Sequence, residues 1–110
     1  MTDITLPAPV QAFVDAINRG DTDAFVATFT EDGFIDDWGR VMRGRDGVHR
    51  WAGSDAIGAR ARMNILSATS ECDITRVRFG WSSRVFNGES DGIFVVDGER
   101  LASFTILPNH

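Results

Sequence analysis

The sequence predicts a single α+β domain over residues 1–110, with helices first and an antiparallel sheet after them. Two observations carry this expectation. In the N-terminal half apolar residues recur at helical spacing, whereas from about Met63 onward they alternate with polar ones. The C-terminal part is also punctuated by Asn87-Gly88 and Asp97-Gly98, dipeptides favoured in two-residue hairpin turns because both central residues need positive φ.

The elements follow in order. Val10, Phe13, Val14 and Ile17 mark one face of a first helix that opens after Pro7 and Pro9 and closes before Gly20. Asp21 is placed to cap a second helix, with Asp23 in its first turn and Phe25, Val26 and Phe29 as its buried stripe. That helix is expected to end near Asp32-Gly33. The segment GFIDDWGRVMRG reads as a short strand pair. A third helix is predicted from Gly44, with Val48, Trp51 and Ala52 inward and Gly47 as a weak point.

Between Ile74 and Phe86, Val77, Phe79, Trp81 and Val85 alternate with Arg76, Arg78 and Arg84. Two-residue turns at the two dipeptides set a three-strand meander over residues 74–106, with Phe86 facing Glu89 and Val96 facing Glu99. Trp81, Phe94 and Leu101 then form one row, Phe79 sits beside Val96, and Arg84 pairs with Asp91 across the strands. The opposite face holds Ile93, Val95, Ala102, Phe104 and Ile106. A sheet apolar on both faces needs two covers, the helices on one side and a partner subunit on the other. The expectation is a homodimer through that outer face.

Composition excludes several function classes. A formal charge of -5 and a pI near 4.8 argue against nucleic-acid and anionic-membrane partners, and the five arginines between Arg43 and Arg62 read as a solvated face. All eleven basic residues are arginine, so Schiff-base chemistry and a phosphate-loop lysine are impossible. There is no tyrosine, one cysteine (Cys72) and two histidines (His49 and His110), too few ligands for a built-in transition-metal site. No cofactor is expected. The start, MTDITLPAPV, has no signal-peptide or membrane-helix character, so a cytoplasmic location is expected.

The stretch GFIDDWG concentrates the chemistry. Side chains alternate faces along a strand, so on a regular strand one of Asp36 and Asp37 must look inward. Asp37 is open to three readings: a turn residue, a pocket-facing residue without catalysis, or a general base. His49, on the third helix, reads as a surface or edge histidine.

The order helix, Gly-Asp, helix, strand, Gly-Arg, helix in AFVDAINRGDTDAFVATFTEDGFIDDWGRVMRGRDGVHRW, followed by the meander, resembles the nuclear transport factor 2-like superfamily. The resemblance runs from about Val10 to Ile106 and is to the SnoaL-like and ketosteroid-isomerase-like branches. It implies a cone-shaped fold, with N-terminal helices packed in a curved antiparallel sheet around a hydrophobic pocket. By that resemblance Asp37 matches the family's general base. Ile35 and Asp37 would face the pocket, with Phe34 and Asp36 facing away. The isomerases' other two parts are missing: Phe13 stands where the tyrosine would be, and Gly92 where the second acid would be. The implied site is Asp37 as catalytic residue, in an apolar pocket lined by Phe13, Ile17, Ile35, Trp38, Phe79, Trp81, Phe94 and Ser103. A raised Asp37 pKa is expected unless hydrogen bonds or an arginine compensate. Donors that could hold an enolate are Ser83, Ser103 and Asn64. Proton transfer on a small apolar carbonyl compound is one expected function. The alternatives are binding of an apolar ligand without chemistry, or a protein-association role.

Overall fold

The computed structural model describes residues 5–84 and 86–108. Helix α1 (Ala8–Arg19) starts with proline in its first turn and ends at Gly20, whose φ of 74° lets the chain leave the helix. The amides of Gly20 and Asp21 return to the carbonyls of Ile17 and Ala16, the paired bonds of a Schellman cap. Asp21 then caps α2 (Thr22–Ala27), its Oδ1 accepting from the Ala24 amide at 3.0 Å. The remaining elements are β1 (Phe29–Asp37), β2 (Arg40–Arg43), α3 (Gly44–Asp55), a single 3₁₀ turn at Ile57–Ala59, β3 (Arg62–Glu71), β4 (Ile74–Ser82), β5 (Asn87–Asp97) and β6 (Arg100–Ile106).

The strands form one six-stranded sheet in the order β2-β1-β6-β5-β4-β3. The β1–β6 pair is parallel and the others antiparallel, so the sheet is mixed. It curves around the helices. Phe13 on α1 is the centre of the core, its ring centroid 4.8 to 5.9 Å from those of Phe25, Phe29, Phe94 and Phe104. Trp51 on α3 stacks on Phe25 and tilts against Trp81, which joins the third helix to β4.

The structure corrects the sequence reading at four places. The second helix stops at Ala27, and Phe29 is a strand residue because the Leu101 amide bonds to the Thr28 carbonyl at 2.7 Å and draws the segment into the sheet. A fourth antiparallel strand, β3, precedes the expected three.

The first hairpin reverses between Ser83 and Phe86, and Asn87-Gly88 opens β5. The Ser83 hydroxyl accepts from the Phe86 amide and so supplies the turn chemistry locally. Ile74 faces Val95 and Trp81 faces Gly88, and it is Arg78 that meets Asp91, at 3.2 Å. The slip from the expected register is an even number of residues, so Trp81 and Phe94 still share the inner face.

In the second hairpin Asp97 pairs with Arg100, which leaves Gly98 and Glu99 as the central residues. Gly98 has a φ of 63° and Glu99 is not in the left-handed region, so glycine takes the first position of the turn. A bulge between Leu101 and Ser103 then inserts one residue into β6. Leu101 stays inward beside Val96, but past the bulge every side chain changes face. Phe104 and Ile106, expected on the outer face, point into the core opposite Phe94 and Gly92, and Ser103 turns outward beside Val95 and Phe34.

Candidate functional site

At the C-terminal end of β1 the chain turns through Trp38 and Gly39, with φ of 57° and 92°. Such a turn suits glycine but strains a bulky side chain by about 1–2 kcal/mol. Asp36 steadies it, its Oδ1 accepting from the Gly39 amide at 2.8 Å. Asp36 thus serves the turn on the outer side. Asp37 pairs with the inward-facing Ile106 on β6 and lies on the inner face with Ile35.

Asp37 borders a cavity of about 320 Å³, whose walls also include Trp38, Trp51, Asp55, Phe79, Trp81, Phe86, Ser90 and Ile106. Its Oδ2 accepts from Trp51 Nε1 at 3.0 Å and from Arg40 Nη2 at 3.1 Å. No described residue donates to Oδ1. The same Arg40 nitrogen donates to Asp55 Oδ2 at 2.6 Å, and Asp55 Oδ1 accepts from Ser54 Oγ. One guanidinium therefore bridges two carboxylates. The hydrogen bond to Asp55, and next that to Asp37, raise the Arg40 pKa above its ordinary value.

Local structure explains why these groups meet. Asp37 and Arg40 flank the two-residue turn and so face one another across β1 and β2. Trp51 and Asp55 lie four residues apart on α3 and share a helix face, which the β1–α3 packing brings beside Asp37. Ser90 lies on β5 two strands from Asp37, is only 2% exposed, and no described residue hydrogen-bonds to its hydroxyl. Its small remaining exposure opens to the cavity.

Of the residues expected at the site, Asp37, Trp38, Phe79 and Trp81 border the cavity. Phe13, Ile17, Ile35 and Phe94 are packed in the core beneath it. Ser103 is on the other side of the sheet, a consequence of the bulge in β6. The other donors considered are also elsewhere: Ser83 closes the first hairpin and Asn64 is exposed on β3. His49 is on the exposed side of α3. Arg40, Trp51, Asp55, Phe86, Ser90 and Ile106 were missed as site residues. Two of them were legible, since Trp-Gly as a turn would have paired Asp37 with Arg40, and strand alternation places Ser90 on the face of Phe94. Among the described residues no group of three or more His, Cys, Asp or Glu side chains could hold a metal ion, and no helix is long and apolar enough to cross a membrane.

Comparison with curated protein sequences gives no significant match. Solved structures are similar over nearly the whole chain. A Sinorhizobium meliloti protein described as a candidate polyketide cyclase is 28% identical, with a TM-score of 0.81 over 92% of this chain and 94% of its own. The epoxide hydrolase/cyclase-like enzyme SalBIII, which acts in pyran ring formation in the polyether salinomycin, is 19% identical, with a TM-score of 0.80 over 90% of this chain and 86% of its own. A Mycobacterium tuberculosis protein solved with estradiol-17beta-hemisuccinate is 15% identical, with a TM-score of 0.78 over 96% of this chain and 95% of its own. These likenesses agree with the helix-in-curved-sheet architecture, and the sequence itself matches the SnoaL-like domain over residues 10–103, so the chain belongs to the SnoaL-like domain family.

Proposed function

We propose that the cavity binds a small, largely apolar carbonyl compound and that Asp37 transfers a proton on it, as an isomerase or cyclase would. The observation that carries this reading is the asymmetry of the Asp37 carboxylate. Trp51 and Arg40 fix Oδ2, whereas Oδ1 is left to a ligand beside an aromatic wall. A base needs that geometry, because proton transfer demands a lone pair held within hydrogen-bond reach of the reacting carbon.

In the proposed step Oδ1 takes a proton from the carbon next to the carbonyl. The C–H bond breaks, an O–H bond forms on Asp37, and the electron pair moves onto the substrate oxygen as an enolate. Where a C=C bond is conjugated with the enolate, return of the proton to its far carbon isomerises the compound. Where a second carbonyl lies within reach, the enolate carbon attacks it, the C=O π pair moves to that oxygen, and Asp37 returns its proton there, closing a ring that carries a hydroxyl. Ser90, on the cavity wall, offers a hydroxyl that can donate to the substrate oxygen. The cyclase descriptions of two structural relatives support this chemistry, and the steroid ester bound by a third supports an apolar ligand body. A cavity of about 320 Å³ is near the lower end of the usual range for ligand sites and favours a compact compound.

Ketosteroid isomerisation in its usual form is disfavoured. Phe13 offers no hydroxyl, and a Cβ at Gly92 would stand 2.9 Å from Phe104 Cε1 and 3.1 Å from Phe79 Cε1, so no acid fits there. The same two absences favour a second reading, ligand binding or protein association without chemistry. We also propose a homodimer through the outer sheet face, now reduced to Phe34, Val41, Ile93 and Val95 by the inward turn of Phe104 and Ile106.

The test is proton exchange. A panel of small aryl ketones and enones, with and without an ammonium substituent, is incubated with the protein in D2O, and loss of the α-proton signal is followed by NMR. Exchange that Asp37→Asn slows by roughly 100-fold or more supports the reading. No exchange with the whole panel, or equal rates for the variant, refutes it.

A further inference from the structure

We infer that the ligand of this cavity carries a positive charge, as an organic ammonium ion with an apolar body. This rests on reading the cavity as a ligand site and narrows what enters it. The first observation is electrostatic. Among the described residues, the ionisable ones on the cavity wall are Asp37 and Asp55, with no arginine or histidine. Arg40 touches both carboxylates through one nitrogen while its side chain is 60% exposed. Two carboxylates against one guanidinium leave one net negative charge (−2 + 1 = −1) facing the cavity.

The second observation is the aromatic wall. Trp38, Trp51, Phe79, Trp81 and Phe86 account for most of the remaining lining. Indole and phenyl faces attract cations, most strongly where water is excluded. Trp38 and Phe86 are 50% and 43% exposed at the rim, and Trp38 is held in the left-handed region that a bulky side chain ordinarily avoids. An exposed, strained aromatic residue is a feature that functional sites retain.

The third observation is Ser90, a cavity-wall residue whose hydroxyl has no hydrogen-bond partner among the described residues and keeps some contact with the cavity, since no fully buried side-chain polar atom there is unpaired. It waits for a polar group on whatever fills the space. A neutral occupant leaves the net charge of the carboxylates unanswered, so among apolar carbonyl compounds one that also carries an ammonium group is favoured. An anion would be repelled by them. An alkylammonium ion satisfies all three features: its charge faces Asp37 and Asp55, its alkyl groups lie on the rings, and a polar substituent reaches Ser90.

The probes are choline and its neutral isostere 3,3-dimethylbutan-1-ol. Each is titrated into the protein while the tryptophan indole N–H signals are followed by NMR. Choline is expected to bind roughly tenfold more tightly or better, in line with cation–π attraction at a desolvated site. That preference should shrink with added salt and in Asp55→Asn. Equal binding of the two probes overturns the charge inference and leaves the pocket reading standing. If neither probe moves the indole signals up to its solubility limit, the cavity is not a small-molecule site and both readings fall.

Discussion

The hydrogen bond from Trp51 to Asp37 is the contact that orients the site, and its worth can be measured by a double-mutant cycle. Trp51→Phe removes the indole N–H and part of a buried ring. The lost bond to a charged acceptor is worth about 1.5 kcal/mol and the lost packing about 1–2 kcal/mol, so a total near 3 kcal/mol is expected. Asp37→Ala leaves the indole N–H without its acceptor. The Asp37 side chain is 18% exposed, so cavity water reaches the orphaned donor, and about 1–2 kcal/mol is expected. Both variants lose the same bond, and the double variant should therefore be about 1 kcal/mol more stable than the sum of the single losses predicts.

The assay is urea unfolding followed by far-ultraviolet circular dichroism. With a slope of about 1.5 kcal/mol per molar, Trp51→Phe should lower the midpoint by about 2 M. Arg40 cannot mask the result, because its side chain is largely exposed and such pairs add at most about 1 kcal/mol. Additivity of the two single variants within about 0.3 kcal/mol would refute the reasoning. Asp37 would then not be held by Trp51, and the argument that Oδ1 is presented to a ligand would fail with it.

Three further outcomes are expected. Gly92→Asp should destabilise the fold by about 3 kcal/mol or more in the same unfolding assay, because the new side chain meets the Phe79 and Phe104 rings and buries an unpaired carboxylate. Trp38→Gly should raise stability by about 1 kcal/mol by relieving the left-handed strain, while weakening binding of whatever ligand the cavity takes. Light scattering at micromolar concentration should give a dimer mass that falls on Val95→Asp, and a clean monomer mass for the unaltered protein would refute the outer-face homodimer.

What the sequence disclosed and what it concealed divide along a physical line. Helices α1 and α3 were legible because their signals are local: a buried stripe at helical spacing in both, with prolines before and glycine after α1. The inner face of β4 was equally legible, since Thr75, Val77, Phe79 and Trp81 alternate with exposed or half-buried residues without interruption. Register is a different kind of quantity. It depends on which of several adequate turns the chain closes, and Ser83 competing with Asn87-Gly88 was decided by packing at a distance, where Gly92 fits between two phenyl rings and Arg78 meets Asp91. The bulge in β6 had no composition signal at all, yet it moved Phe104 and Ile106 into the core and Ser103 out of the site. The candidate site combines both kinds. The inward phase of Asp37 follows from alternation along one strand, but Trp51, Asp55 and Ser90 come from a helix and a strand whose meeting with Asp37 depends on the sheet order β1-β6-β5 and on α3 lying across β1. A single reactive side chain can therefore be placed from its own segment, whereas the groups that hold it and the space it faces belong to the tertiary fold.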